Sequence, residues 1–335
     1  LRTTCVSAIK SPRRVDAVVV ENKSGRSAIR ARMFIDASGD GDLLRHAGFG
    51  AYQASELQPV NLQALVAGFG RLSEKHPGVN FWNRVRHLSE QFGYPLTTSS
   101  PWLFDYPGVP EVTNIFGPRV SGVDGSNGDD VTDALINGRR YIRALTDMAD
   151  TEFGVRLPIV AWAQALSVRQ TWQAKCLHTL TGTELLAGTS FPDAIANGTY
   201  PVDIHHARGT VLRYLDGREE IIDRDGTRTW GRWRDESAPT PACYHVPYRS
   251  IVPRESDNLL VAGRLIDADP DAYGGVRVMV NMNQTGEAAG VAASIAVQDS
   301  VPVGQVDPGH LRTVLADGGS IVLHTRASQA STHHS

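Results

Sequence analysis

Cysteine is scarce in this chain, which has three cysteines in 335 residues. Cys5, Cys176 and Cys243 lie far apart, and none of them belongs to a Cys-x-x-Cys pair. This spacing provides neither the ligands of an iron–sulfur cluster nor the redox pair of a disulfide reductase. A sparse, odd cysteine count is also typical of a reducing compartment, so the sequence predicts a cytoplasmic protein.

A strong charge of one sign is lacking as well. The chain has 33 lysine and arginine residues against 36 aspartate and glutamate residues, a formal net charge of −3. So small a charge gives no field to hold nucleic acid or an anionic membrane surface. No apolar run reaches the roughly 20 residues that a membrane-spanning helix needs. The sequence therefore predicts a globular protein with neither partner, and its length is sufficient for two domains.

The chain also contains no Gly-x-Gly-x-x-Gly turn, the motif that holds a dinucleotide diphosphate between a strand and a helix. Three glycine pairs come closest, and each lacks the third glycine: Gly39 and Gly41, Gly48 and Gly50, and Gly68 and Gly70. None of them is a credible phosphate loop.

The most informative segment lies near the end of the chain. Residues 259–262 form a short apolar run of the kind buried in a parallel sheet, and Gly263 lets the backbone approach a ligand where a side chain would collide. Residues 284–286 are expected to open an Ala-rich helix over residues 287–297, whose free N–H groups suit a phosphate or an electron-rich ring edge. These features alone predict a ligand at a strand end.

The turn over residues 36–42 is a second candidate. It follows an expected strand over residues 31–35, and its glycines Gly39 and Gly41 supply backbone freedom. Asp40 or Asp42 is expected to cap a short helix that starts at about residue 43. An ordinary capped strand-to-helix turn has the same pattern.

Four ordered segments resemble the FAD-dependent oxidoreductase family of the two-dinucleotide-binding-domain class. Residues 33–42 are similar to the family's Ala-Thr-Gly-Asp-Gly-Asp turn, with Ser38 in place of the threonine. Residues 191–205 are similar to its middle-domain signature, and residues 245–296 to its C-terminal flavin segment. Within the latter, residues 276–279 match the stretch before the last helix. None of these motifs is specific to one reaction.

The resemblance implies an α/β fold, a truncated Rossmann-like FAD-binding domain with an inserted α+β substrate domain. Residues 1–50 and 245–324 would form the FAD-binding domain, residues 51–244 the insertion, and residues 325–335 a disordered tail. The family's first hundred or so residues, with the glycine turn, are expected to be missing. The chain would then be a fragment or split half, inactive alone, that needs a partner chain to supply this unit. A non-catalytic remnant or interaction domain is the competing function.

The resemblance also implies FAD as the cofactor. The residues expected at FAD are Ser38, Gly39, Asp40, Gly41, Gly263, Arg264, Arg277, Gln284, Thr285 and Gly286. Arg264 stands where related flavoenzymes often have an aspartate, and a guanidinium would instead fork onto diphosphate oxygens. Arg277 is expected at loop carbonyls or at the flavin pyrimidine edge, and a structural ion pair is the alternative.

The expected reaction is hydride transfer between a small-molecule substrate and the flavin. His205 is the candidate catalytic residue, because it lies in a matched segment and an imidazole titrates near neutrality. A structural histidine bonded to a carbonyl is the alternative. A metal site over residues 203–206 is disfavoured, because adjacent strand positions face opposite ways. Further candidates near the ring are His206, His245, Tyr248, Arg249 and Tyr273.

Local patterns predict several elements of the insertion. Helical spacing predicts helices over residues 81–92 and 129–153, and residues 97–110 form a Pro- and aromatic-rich loop. Residues 209–233 alternate like a hairpin, with turns at residues 216–217 and 225–226.

Overall fold

The computed structural model describes residues 2–95, 101–224 and 226–323. The chain mixes helices and strands, as the sequence predicts. The strands are β1 Thr4–Ser11, β2 Arg14–Asn22, β3 Gly25–Ile29, β4 Phe34–Asp36, β5 Ala51–Gln53, β6 Val60–Ala67, β7 Trp102–Asp105, β8 Val112–Val120, β9 Ile159–Trp162, β10 Trp172–Ala174, β11 Ala194–Gly198, β12 Val202–His206, β13 Gly209–Arg213, β14 Arg218–Asp223, β15 Arg228–Arg232, β16 Tyr244–Pro247 and β17 Leu259–Val261. The helices are α1 Asp42–His46, α2 Phe69–Lys75, α3 Phe81–Val85, α4 Gly128–Phe153, α5 Gly182–Leu186, α6 Pro270–Val276, α7 Met279–Asp299 and α8 Pro308–Asp317.

One parallel strand pair positions the two predicted ligand segments. β17 pairs with β4, so that Leu259 lies opposite Phe34 and Val261 opposite Asp36. Residues 259–261 are fully buried, which confirms the predicted buried strand. Because the carboxyl ends of parallel strands meet at the same edge, the turn after Asp36 and the turn at Gly263 become neighbours. The other strand pairs in the described sheets are antiparallel: β1–β2–β3, β5–β10, β11–β16, β12–β13–β14–β15 and β7–β8–β6–β9.

The buried side chains form two main clusters. The larger one contains residues from 15–49 and 174–315, and it includes the small side chains Ala288, Ala289 and Ala292 of α7, which contacts both β4 and β17. The smaller one lies within residues 62–157, where α4 packs on β6 and β8. In the described part of the chain, no helix is both long and apolar enough to cross a membrane.

Helix α4 matches its prediction to within one residue at its start. Asn127 caps it, since its side-chain oxygen accepts the backbone N–H groups of Asp129 and Asp130. Gly154 ends it in the left-handed conformation, with φ of 60°. Ile142 and Leu145 of the predicted apolar stripe are fully buried.

Two predictions within residues 81–110 are wrong. The helix expected over residues 81–92 stops at Val85 and continues only as a 3₁₀ turn, Arg86–Leu88. The expected loop over residues 97–110 contains strand β7, because residues 102–105 pair with the edge of β8. Residues 97–100 of that loop, Asp225 of the second hairpin turn and the tail over residues 325–335 lie outside the described residues.

A buried asparagine joins the β1–β2 hairpin to the parallel strand pair. The side chain of Asn258 accepts the N–H of Val15 at 2.9 Å and donates to the Val15 carbonyl at 2.8 Å and the Arg32 carbonyl at 3.1 Å. Asn258 is fully buried, so losing its side chain leaves backbone groups without a partner.

We expect Asn258→Ala to lower the free energy of unfolding by about 3 kcal/mol, because unpaired buried polar groups cost roughly 1–3 kcal/mol each. Urea denaturation measures this change. Asn83→Ala, at an exposed side chain, is the matched control and should stay within about 0.5 kcal/mol of the parent. Equal effects of the two substitutions would show that Asn258 does not hold the hairpin.

Candidate functional site

The turn after β4 is held together by Asp36 and Ser38. One carboxylate oxygen of Asp36 accepts the N–H of Ser38 at 3.0 Å and its hydroxyl at 2.7 Å, and the other accepts the N–H of Leu44 at 2.8 Å. The Ser38 hydroxyl oxygen accepts the N–H of Asp42 at 2.9 Å. Asp36 and Ser38 therefore cap α1, and the prediction of a cap by Asp40 or Asp42 is wrong. The reason is that the turn folds back over the end of β4.

The two glycines of this turn have different surroundings. Gly39 and Gly41 have φ of 82° and 73°, a conformation that other residues rarely adopt. A Cβ at Gly39 would lie 2.5 Å from Nη2 of Arg264, so the guanidinium packs directly on this backbone. A Cβ at Gly41 would lie 3.2 Å from the Leu265 side chain.

Arg264 links the two neighbouring turns. Its Nη2 donates to Oδ1 of Asp40 at 2.9 Å, and the same oxygen accepts the Thr171 hydroxyl at 2.8 Å. Nη1 of Arg264 is buried and has no hydrogen-bond partner among the described residues. The structure thus brings Asp40 and Arg264 together and leaves one buried donor group for a further acceptor.

The turn at Gly263 leaves open space. Gly263 has φ of 72°, and in the described structure a Cβ there would have one neighbour within 4 Å, the Met282 sulfur at 3.9 Å. At Gly286, on α7, a Cβ would have no described neighbour within 4 Å. The predicted close approach of a ligand to Gly263 is compatible with this space.

The predicted start of the last helix is wrong. Helix α7 begins at Met279, because the N–H groups of Asn281 and Met282 already bond the carbonyl of Val278 at 3.0 Å. Residues 284–286 therefore lie inside the helix, where backbone N–H groups are occupied. The helix has no side-chain cap, so the usual signal for its start is missing. Met279 and Val280, its first two residues, are 80% and 62% exposed.

Gln284 and Thr285 have structural partners. The side chain of Gln284 accepts the N–H of Asn197 at 3.0 Å and donates to its carbonyl at 2.9 Å, which fixes α7 to β11. Thr285 donates its hydroxyl to the Met282 carbonyl at 3.3 Å. Gln284 therefore holds α7 in place, whereas the Thr285 contact lies within the helix.

A cavity of about 530 Å³ lies where the start of α7 meets the sheets that contain β8 and β12. Two predicted residues, His205 and Arg277, line it. Sequence reasoning missed three further charged residues of its wall, Arg119, Arg169 and Asp223, although an arginine within the mostly buried strand β8 was an available signal. Asp203, considered from sequence only for a disfavoured metal site, also lines it. Other lining residues include Asn61, Trp102, Phe116, Ser167, Tyr200, Thr210, Leu212, Ile222 and Met279.

A chain of polar contacts crosses the cavity wall. Nη1 of Arg119 donates to the Thr210 hydroxyl at 2.8 Å, and that hydroxyl lies 3.0 Å from Nδ1 of His205. Nε2 of His205 lies 3.2 Å from Oδ1 of Asp203. Oδ1 of Asp203 has no hydrogen bond among the described residues, so its contact with the His205 ring is electrostatic. Burial lowers the pKa of His205 to about 3, so the ring is neutral at pH 7.

Asp203 is the buried carboxylate of the cavity wall. Burial alone would raise its pKa, but the contacts with His205 and Arg277 and the hydrogen bond from Tyr200 hold the pKa of Asp203 below its usual range. Nη2 of Arg277 donates to the Asp203 carbonyl at 2.8 Å and to its Oδ2 at 3.3 Å, and the Tyr200 hydroxyl donates to Oδ2 at 3.1 Å. Arg277 therefore makes both the carbonyl contact and the ion pair considered from sequence.

The other predicted residues lie away from this cavity wall. Arg249 pairs with Asp193 at 2.9 Å, and His245 has its Nε2 3.9 Å from the Cys243 sulfur. Tyr248 and Tyr273 donate their hydroxyls to backbone carbonyls, and His206 lines a separate cavity with His205. Within the described residues, no group of three or more His, Cys, Asp or Glu side chains is placed to hold a metal ion.

Comparison with protein families matches residues 1–315 to the family described as FAD dependent oxidoreductase. Comparison with curated proteins gives no match.

Comparison with solved structures gives distant matches, including the following three. A geranylgeranyl bacteriochlorophyll reductase-like protein from Thermoplasma acidophilum is 11% identical, with a TM-score of 0.40, and the match covers 94% of this chain and 54% of that one. An aklavinone-11 hydroxylase, solved with FAD and aklavinone, is 13% identical with a TM-score of 0.31, covering 88% and 36%. Anhydrotetracycline hydroxylase from Streptomyces rimosus is 12% identical with a TM-score of 0.29, covering 89% and 40%. The chain thus spans about half the length of the first of these structures.

The buried neutral His205 makes stability depend on pH. Its folded pKa of about 3 lies below the ordinary 6.5, so between these values the unfolded chain binds the extra proton. The contribution of His205 to the free energy of unfolding is therefore fully present above pH 6.5, and it decreases as the pH falls toward 3.

Between pH 7 and pH 5, we expect the free energy of unfolding to fall by roughly 2 kcal/mol less in His205→Gln than in the parent protein. Urea denaturation at both pH values measures this difference. His310→Gln, at an exposed site on α8, is the control and should leave the pH dependence unchanged. An unaltered pH dependence in the His205 variant would contradict the assignment of a neutral ring.

Proposed function

Since the chain belongs to the FAD-dependent oxidoreductase family, shown by the match over residues 1–315, we propose that it forms the substrate side of a flavin-dependent redox site. The observation that carries this proposal is the position of the 530 Å³ cavity, whose wall includes Arg277 and Met279 at the start of α7. The start of α7 comes after the open turn at Gly263 in the chain, and residues on both sides of that turn belong to the larger core. A small molecule in the cavity would therefore lie next to the segment that resembles the flavin site.

FAD is the cofactor. The local structure fits it in three ways. Gly263 and Gly286 leave space that a side chain would otherwise fill, and Arg264 has a buried donor without a described partner. Met279 and Val280 begin α7 with exposed apolar side chains, and the first N–H groups of a helix are free to bond a ligand oxygen.

We assign FAD contacts to the turn of Ser38, Gly39, Asp40 and Gly41, to Gly263 and Arg264, and to the helix face that carries Gly286. Arg277 lies between cofactor and cavity. Gln284 acts by holding α7 against β11. Thr285 bonds within the helix and helps to shape this face. FAD supplies a ring that accepts or donates a hydride.

His205 serves in this proposal as a neutral hydrogen-bonding group of the cavity wall. Its Nδ1 lies 3.0 Å from the Thr210 hydroxyl and its Nε2 3.2 Å from Asp203, and its pKa of about 3 makes it a weak base at pH 7. Thr210 would have to turn its hydroxyl away before Nδ1 could take a proton. The role of His205 is therefore to orient Asp203 and Thr210 around a bound substrate.

The exposed edge of the parallel sheet indicates how the flavin site is completed. The parallel sheet has two strands in the described structure, and Ile35 of β4 is 38% exposed. Sheets of this size rarely stand alone, and exposed strand edges tend to pair. We propose that residues 51–244 form an inserted substrate domain and that a Gly-x-Gly-x-x-Gly unit, from the same polypeptide or from a partner chain, pairs with this edge.

The position of FAD is tested by Gly286→Val in the full-length, FAD-loaded protein. A Cβ at Gly286 meets no described atom within 4 Å, so the fold should tolerate valine, whereas a ring lying on this helix face would collide with it. We expect FAD content, read from visible absorbance, to fall at least about tenfold, equivalent to about 1.4 kcal/mol, with little change in melting temperature.

Gly70→Val is the matched control, because Gly70 also lies on a helix with open space and belongs to α2, near the smaller core. It should retain FAD. Full FAD content in the Gly286 variant would show that this face of α7 does not contact the cofactor.

A further inference from the structure

The cavity wall contains an excess of positive charge. Three guanidinium groups line it, those of Arg119, Arg169 and Arg277, and the side chain of Arg277 is only 9% exposed. Among the described lining residues the acidic side chains are Asp203, which is buried, and Asp223, which is exposed. Asp203 offsets one of these three charges. The other two arginines have no carboxylate bonded to them in the described structure.

These arginines have hydrogen-bond donors to spare. Arg119 and Arg169 each bond the protein through Nη1 alone, the first to Thr210 and the second to the Pro59 carbonyl and Asn61. Arg277 bonds through Nη2 alone, and its buried Nε has no described partner. Each guanidinium has five N–H groups, so most of them are free to bond an acceptor in the cavity.

Leaving such groups unpaired is costly. A buried charge without a partner destabilises a protein, and it is retained where a ligand or partner supplies the opposite charge. Burial lowers the pKa of Arg169 to about 9 and of Arg119 to about 10, with repulsion from Arg277 adding to it in both. A bound anion would pair with these charges and would stabilise the charged form of both arginines. The guanidinium fork matches the geometry of a carboxylate, which it can bond through two oxygens.

Much of the remaining wall is apolar, although Asn61, Ser167, Tyr200 and Thr210 also belong to it. Trp102, Phe116, Leu212 and Met279 line the cavity, and they suit a hydrocarbon or aromatic skeleton. We propose that this site binds an organic carboxylate, whose charged group is held by Arg119, Arg169 and Arg277 while its apolar part contacts Trp102 and Met279. This inference rests on the proposed function, since it names the substrate class of the same cavity.

Calorimetry on the full-length, FAD-loaded protein tests this with matched pairs of acid and amide: hexanoate and hexanamide, phenylacetate and phenylacetamide, and naphthoate and naphthamide. Each amide keeps the skeleton and loses the charge. We expect the carboxylate of at least one pair to bind about 10- to 100-fold tighter than its amide, the range expected for hydrogen bonds between charged groups. Arg119→Gln should reduce that preference at least about tenfold, and Arg119→Lys, which keeps the charge, should reduce it less.

Arg140→Gln, at an exposed position on α4, removes a positive charge elsewhere and should leave the preference unchanged. Equal binding of acid and amide, failure of all three carboxylates to bind, or an unchanged preference in Arg119→Gln would overturn the proposal. A loss of FAD from Arg119→Gln would also overturn it, because the arginine would then serve the cofactor. A protein that takes up no FAD yet prefers carboxylates would instead contradict the proposed redox function and leave the carboxylate site in place.

Discussion

The arrangement of the cavity depends on the carboxylate of Asp203. It contacts Arg277, which follows α6, and two side chains of its own segment, His205 on β12 and Tyr200 just before it. A buried ion is stable only when its neighbours satisfy it, and here the neighbours in turn take their orientation from the ion. Through His205 and Thr210 the same network reaches Arg119 on β8, so one anion organises both sides of the wall.

The parallel pairing of β4 with β17 has a similar role for the cofactor segments. It places Asp36 opposite Val261, and the turns that follow these strands are then joined by the ion pair of Asp40 with Arg264. Arg264 stands where related flavoenzymes often have an aspartate, and its ion pair with Asp40 gives it a local structural role. The guanidinium stabilises the neighbouring turn and still has one buried nitrogen without a described partner.

Elements encoded by neighbouring residues could be predicted from sequence. The long helix α4 and the buried strand at 259–261 are set by local patterns, and the structure confirms both predictions. The short helix α5 is also locally encoded, since Thr181 and Glu184 form a reciprocal cap at its start. The start of α7 was predicted wrongly because Val278 has no side chain that could cap a helix. Gln284 and Thr285, which lie inside the helix, resemble the polar residues of a helix start.

The cavity itself could not be predicted in the same way. Arg119, Arg169 and Asp203 are far apart in sequence, and their common surroundings arise from packing of separate sheets. The surroundings also decide the chemistry of His205, because burial opposes its charged form. An imidazole that sequence suggests as a base near neutrality is therefore a neutral wall group in the fold.

The central claim is that FAD lies against the turns after β4 and β17 and against the start of α7, next to the arginine-lined cavity. Hydrogen exchange of the full-length protein, measured by mass spectrometry with and without FAD, tests it most directly. The account predicts that FAD slows exchange at residues 38–41, 263–265 and 278–282, and that exposed amides of α4 are unaffected. Protection confined to other segments, with these three unchanged, would contradict it.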